Sequence, residues 1–282
     1  PIALYEWQGD QNWHVTPHWH EEIEFICFKE GIFRVWLNAR EYIIESPALL
    51  CVHPQELHSI MLTAGGRESA IVFSLDILSF EHYDAIQAQL ISPLMDGRLR
   101  FPTVVREQDA LYSMLRAAYD RAEEKIRAMN AFSIQQEIEK NTCYLKVKTM
   151  LLEVLAHLYS NNCLVKEPDL RTENEQQIAN LKKVITYIME HYDADMRLNE
   201  LACLVNMNPQ YFCRYFKKNI GKTITEYIND VRIEKAAQAL AETNDKIIDI
   251  AQNCGYENVS YFIRRFRRTK GMTPVQYREK SK

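Results

Sequence analysis

The 282-residue chain holds 34 Lys and Arg against 38 Asp and Glu, a net charge of −4 at pH 7, and 47% of its residues are hydrophobic. This composition excludes a disordered or fibrous protein, and the length suits two domains, each large enough to bury a core. No apolar run approaches the roughly eighteen residues of a spanning helix, and no basic, then apolar leader opens the chain, so the reading is a cytoplasmic protein with no membrane partner.

Seven cysteines, Cys27, Cys51, Cys143, Cys163, Cys203, Cys213 and Cys254, include no Cys-x-x-Cys and fit buried thiols in a reducing compartment. Charge is polarised. Residues 176–282 carry 18 Lys and Arg against 12 Asp and Glu, a net of +6, whereas residues 1–175 carry 16 against 26, a net of −10. A basic module joined to an acidic one is expected, and the basic one points to nucleic acid.

In chain order, short β-rich runs at 23–28, 33–37, 41–44, 49–52, 58–62 and 70–73 are separated by turn residues at Glu30-Gly31, Asn38-Ala39, Ser46-Pro47, His53-Pro54 and Gly65-Gly66. Such spacing predicts an antiparallel barrel or sandwich. Trp7 and Trp13 are read as packing residues of an arm or barrel rim. Within the first run, Pro17-His18-Trp19-His20-Glu21-Glu22-Ile23-Glu24 alternates so that His18, His20, Glu22 and Glu24 share one strand face. Two helices follow at 110–129 and 133–159, the second opened by Ser133 as N-cap; one side of each is expected to meet the barrel and another a second subunit. The polar stretch after Tyr159 reads as a linker. The resulting division is 1–165 for sensing and dimerisation, 166–177 for the linker, and 178–282 for an all-α module.

That module repeats at an offset of fifty residues. Setting residues 211–227 against 261–277 matches Tyr211/Tyr261, Phe212/Phe262, Arg214/Arg264, Phe216/Phe266, Gly221/Gly271, Thr223/Thr273 and Tyr227/Tyr277, seven identities in seventeen positions. Each copy reads as a helix-turn-helix: support at 198–205 and reader at 209–220, then support at 247–253 and reader at 258–270, with a continuous helix at 223–240 between them. The paired phenylalanines face inward. Gln210, Cys213, Arg214, Lys217 and Lys218, and in the second copy Ser260, Ile263, Arg264, Arg267 and Arg268, are left facing outward. Arg bridges guanine O6 and N7, Gln pairs with adenine, and the later Lys and Arg pairs suit phosphate. A solvated basic helix face explains one copy as well as a DNA reader does, but not two matched ones. The four repeated tyrosines are read as packing residues rather than base-stacking ones.

Residues 178–279 closely resemble the DNA-binding domain of AraC/XylS-type bacterial regulators, through Ile250-Ala251, Cys254-Gly255-Tyr256, Ser260-Tyr261-Phe262-x-Arg264-x-Phe266-Arg267-Arg268 and Gly271-x-Thr273-Pro274-x-x-Tyr277-Arg278. The first copy departs by Ile224 where the second has Pro274. The resemblance implies promoter DNA as partner, RNA polymerase contact and a homodimer, acting more often as activator than repressor. The run His18-x-His20-x3-Glu24-x6-Gly31 resembles the first motif of cupin barrels with Asn12 in place of its leading glycine; the second motif is degraded, since Glu56 replaces a glycine and Leu62 an asparagine.

The fold class expected is therefore α+β: a cupin-like antiparallel β-barrel with two following helices, then an all-α pair of helix-turn-helix units. In cupin enzymes the positions matching His18, His20, Glu24 and His58 hold a divalent metal. Three readings stay open for them: an effector pocket, a metal site, or residues satisfied by one another. The effector reading takes His18, His20, Glu22, Glu24, Trp36 and His58, with Arg34 and Tyr42 as further wall candidates by strand position, and suits a sugar or acid. The functional expectation is a non-enzymatic, ligand-responsive transcription regulator of metabolic or carbohydrate genes with no required cofactor; the alternative is a metal-dependent cupin enzyme fused to a DNA-binding domain.

Overall fold

The computed structural model describes residues 2–9, 14–81, 84–133, 136–166 and 173–281. Asn12, Trp13 and most of the linker, 167–172, lie outside the described residues. Contacts group the chain into two compact units, one mainly before residue 172 and one mainly after it.

The first unit is built on an antiparallel sheet. Its strands are β1 (Ile2–Gly9), β3 (Ile23–Leu37), β4 (Arg40–Glu45), β5 (Ala48–Val52) and β6 (His58–Phe73); β2 (His14–His18), between β1 and β3 in the chain, groups with the second unit. A short helix, α1 (Ser92–Met95), precedes β7 (Leu99–Arg100) and β8 (Val104–Arg106). The main order is β1-β6-β3-β5-β8, with β4 against β3.

Two predicted turns are not turns. Residues 23–28 and 33–37 form one strand, and so do 58–62 and 70–73. Glu30-Gly31 and Gly65-Gly66 instead sit where the β3–β6 register shifts three times between Phe28 and Phe33. Such bulges bend a strand without ending it. Gly31 has φ 104°, open to glycine, and a Cβ on Gly66 would lie 2.6 Å from the Glu30 carbonyl oxygen. The turn predicted at Asn38-Ala39 is real, with φ of 46° and 65°, as a tight hairpin requires.

One face of the sheet packs under two helices, α2 (Tyr112–Ala131) and α3 (Glu137–Ser160). Ile23, Cys27, Cys51, Ile71 and Phe73 form a core with Tyr119, Ile126, Val147, Leu155 and Leu158. The Tyr119 hydroxyl pins α2 to β6 by donating to the Ser69 carbonyl at 2.7 Å. Helix α3 starts at Glu137 rather than Ser133, and the Gln136 side chain accepts from the Ser133 N–H at 3.1 Å. Ser133 therefore belongs to the α2–α3 connection. The opposite sheet face buries Ile26, Phe28, Phe33, Val35, Ile44 and Leu50 almost completely.

Strand β9 (Val165–Lys166) pairs with β7, and α4 (Glu173–Glu190) begins inside the stretch read as linker. Residues 173–177 are thus helical, although their polar composition hides the apolar stripe that starts only at Ile178. Next come α5 (Leu198–Leu204), α6 (Pro209–Ile220), α7 (Ile224–Glu242), α8 (Ile247–Asn253), α9 (Val259–Lys270) and α10 (Pro274–Ser281).

Candidate nucleic-acid interface and sensor site

The repeat seen in sequence is a repeat of local devices. Asn208 and Asn258 cap α6 and α9 by accepting from the N–H of Tyr211 at 2.8 Å and of Tyr261 at 2.9 Å. Gly221 and Gly271, at φ 79° and 73°, close the two helices in the left-handed conformation. Thr223 and Thr273 then open α7 and α10 by exchanging hydrogen bonds with Glu226 and Gln276.

Phe212, Phe216, Phe262 and Phe266 are fully buried, as predicted, and α5 and α8 support them through Leu201, Ala202, Ile250 and Ala251. At 19 residues α7 spans about 28 Å, the strut expected between two readers. Buried Asp230 on that strut takes Lys222, just after α6, at 2.7 Å and Arg265, midway along α9, at 3.4 Å, tying both readers to it.

Gln210, Arg214, Lys217, Lys218, Ser260, Ile263, Arg264, Arg267 and Arg268 are all exposed, and Cys213 is half-buried beside them. Tyr227 and Tyr277 pack as predicted, Tyr227 against Phe216 and Tyr277 against Phe266. Tyr211 and Tyr261, in the first turn of each reader, pack on one side only, against Tyr215 and Tyr256, and remain 50% and 40% exposed. Sequence identity showed that the four positions match but not which of them lie on the inward face. The Arg264 guanidinium lies 5.6 Å over the Tyr261 ring, which holds it on the exposed side of α9.

His18, His20, Glu22 and Glu24 do not share a strand. His18 ends β2 and belongs to the second unit, whereas in the first unit His20 lies in the connection before β3 and Glu24 on β3, where it meets His20 and His58. Glu24 Oε2 lies 3.4 Å from His20 Nε2 and 3.1 Å from His58 Nε2. His18, His20 and His58 each direct Nδ1 at a main-chain carbonyl 2.9 Å away, of Thr16, Glu22 and Glu56 respectively, which turns Nε2 of His20 and His58 toward Glu24. Burial alone would raise the Glu24 carboxyl, but His20 and His58 overcome it and hold it at about 2, while Glu24 raises His20 in return.

Glu22 is the more exposed carboxylate, its side chain 46% exposed, with Oε2 3.7 Å from His20 Nδ1. Trp36 is on the other face. It stands opposite Ser59 in the ladder, one step out of phase with Leu37 and His58, and the Arg34 guanidinium covers it at 5.9 Å. Bulges between Phe28 and Phe33 reset the alternation, so strand parity counted from Glu24 misplaces it. Tyr42 is partly buried on β4.

Two carboxylates escaped the sequence reading. Glu56, standing where cupins have glycine, accepts from the His53 N–H at 2.9 Å and pairs with Arg100, a tie between the β5–β6 loop and β7. Glu68, opposite Phe28 and 5% exposed, is on the buried inner face. Burial, reinforced by the charge of Glu24, pushes its carboxyl up to about 8. Between the ordinary carboxyl range and 8 the folded chain holds a proton that the unfolded chain has released, so stability falls as pH rises through that window. Glu68→Gln should gain on the native chain by up to about 1.4 kcal/mol per pH unit from pH 5 to 8 in denaturant titrations. A constant difference would place the native Glu68 charge in solvent.

The AraC-like ligand binding domain family matches residues 2–137, and a helix-turn-helix domain family matches residues 201–280. The chain belongs to the AraC family of transcription regulators. It is 25% identical to the HTH-type transcriptional regulator YdeC of Bacillus subtilis over 99% of this chain and 92% of that protein. It is 32% identical to the melibiose operon regulatory protein of Escherichia coli over 36% of this chain and 33% of that one. Among solved structures, the C-terminal domain of the two-component response regulator yesN from Fusobacterium nucleatum is 36% identical, covering 35% of this chain and 98% of that one, with a TM-score of 0.33. In AraC-family terms the first unit is the ligand-binding domain and the basic second unit the DNA reader. Among the described residues no helix is long and apolar enough to cross a membrane.

Proposed function

We propose that the chain is a cytoplasmic, dimeric activator of bacterial carbohydrate or other metabolic genes, and that the cluster of His18, His20, Glu24 and His58 is its effector site. The observation that carries this reading is the convergence of two histidines, His20 and His58, on the buried, ionised carboxylate of Glu24. Polar groups held in a mostly apolar domain suit recognition of hydroxyls or acids. The melibiose regulator among its relatives supports a sugar. Relatives bearing the names of regulators favour regulation over the cupin-enzyme alternative. RNA polymerase is then the partner that reads the bound promoter.

Dimerisation is placed on the outer side of α3. Ile138, Leu145 and Tyr159 are exposed and recur every seven residues, with partly buried Leu152 between them, a stripe that a second copy would cover. A bound divalent metal is the second reading, favoured by the three Nδ1-to-carbonyl bonds, which orient histidines as metal sites do. His18, His20, His58 and Glu24 would hold it, and it would supply a Lewis-acidic anchor for an effector hydroxyl.

His20→Ala and Glu24→Ala, assayed with a panel of sugars and sugar acids, should abolish effector-dependent transcription while basal operator affinity stays unchanged, because an effector acts only through its differential affinity for two states. Unchanged induction in both variants would remove the effector reading. Loss of a stoichiometric metal with a drop in stability would select the metal one.

A further inference from the structure

Between the sheet and the two helices above it lies a cavity of about 70 Å³, on the opposite side of the sheet from the Glu24 cluster. Phe25, Ile71 and Phe101 wall it from below, Ala122 from α2, and Leu151 and Val154 from α3. A single water needs only about 10–15 Å³, but it also needs two to four polar partners. The walls offer none. Besides the Met150 thioether, the lining residues with polar side-chain atoms are Tyr119 and Cys51, and both are engaged: the Tyr119 hydroxyl with Ser69, the Cys51 thiol with His53 at 3.7 Å. Burial also keeps the Cys51 thiol protonated, so nothing here balances a charged ligand.

Interiors are close-packed, so the side chains around this space lack contacts that an apolar occupant would restore. Leu115, Met150, Leu151 and Val154 are only partly buried, which gives a way in between α2 and α3. We propose that the cavity is a second ligand site, taking a small uncharged hydrocarbon-like molecule such as an aromatic ring or short alkyl chain. Its occupant touches the inner face of α3, whose outer face carries the Ile138, Leu145 and Tyr159 stripe, and it touches β3 at Phe25, next in the chain to Glu24. A ligand here therefore sets how α3 rests on the sheet, independently of the histidine cluster.

Benzene is a suitable probe, since apolar cavities in proteins take it up. Titrated into the full chain, it should raise the unfolding temperature and shift the ¹³C-methyl resonance of Met150 saturably. Ala122→Leu, which adds three carbons at the wall, should weaken benzene at least tenfold; Ala118→Leu serves as a second filling variant if the first does not fold. His20→Ala should bind benzene as the native chain does, so failure of the effector reading leaves this test intact. Absence of a saturable Met150 shift, or equal benzene affinity in the native chain and a folded filling variant, would overturn the proposal.

Discussion

Phe266→Ala should destabilise the helical unit by about 3–5 kcal/mol, the cost of emptying a fully buried aromatic site that cannot collapse. Phe266 is wholly shielded from solvent, lies 5.6 Å ring to ring from Phe262 and 5.5 Å from Tyr277, and closes a core with Ile233, Leu240 and Ile250. Phe216→Ala should cost a similar amount in the first copy, where the ring meets Phe212 and Tyr227. Chemical denaturation followed by helical circular dichroism measures both. Losses under about 1 kcal/mol would mean that these rings do not hold the readers in place.

Arg264→Ala and Arg214→Ala should each cost about 1–3 kcal/mol on the specific operator and much less on random DNA, the pattern of a lost base contact. Both arginines are exposed on the side of their helix opposite the buried phenylalanines, and Arg264 is steadied by the Tyr261 ring. Lys217→Ala and Arg267→Ala should weaken all DNA alike and reduce the salt slope by about one. Anisotropy titrations over a range of salt separate the two classes. Equal losses on specific and random DNA would assign Arg214 and Arg264 to phosphate.

Much of the helical unit was legible because its signals are local. Asparagine caps, closing glycines and phenylalanines four apart recur at a fixed offset, and each specifies its own turn of helix without help from distant residues. The sheet was legible only in part. Glycines that mark turns in most sequences mark bulges in β3 and β6, and the difference lies in cross-strand register, which no short window contains. The same bulges carried Trp36 to the wrong face, whereas His20 and His58 meet at Glu24 from the connection before β3 and from the paired strand β6, not by alternation along one strand. Glu68 was invisible for a related reason: a carboxylate among alternating residues reads as solvent-facing until the partner strand buries it. The start of α4 was masked by polarity, since its apolar stripe begins only after its first turn.

Two matched readers on one chain should recognise DNA together. Selection of binding sites from a random duplex library by the purified full chain tests it most directly. The account predicts enrichment of sites with two short conserved elements about 10 base pairs apart, one helical turn for each reader, and loss of one element in Arg214→Ala and of the other in Arg264→Ala. Enrichment of a single element that neither substitution alters, or no enrichment over random duplex, would contradict it.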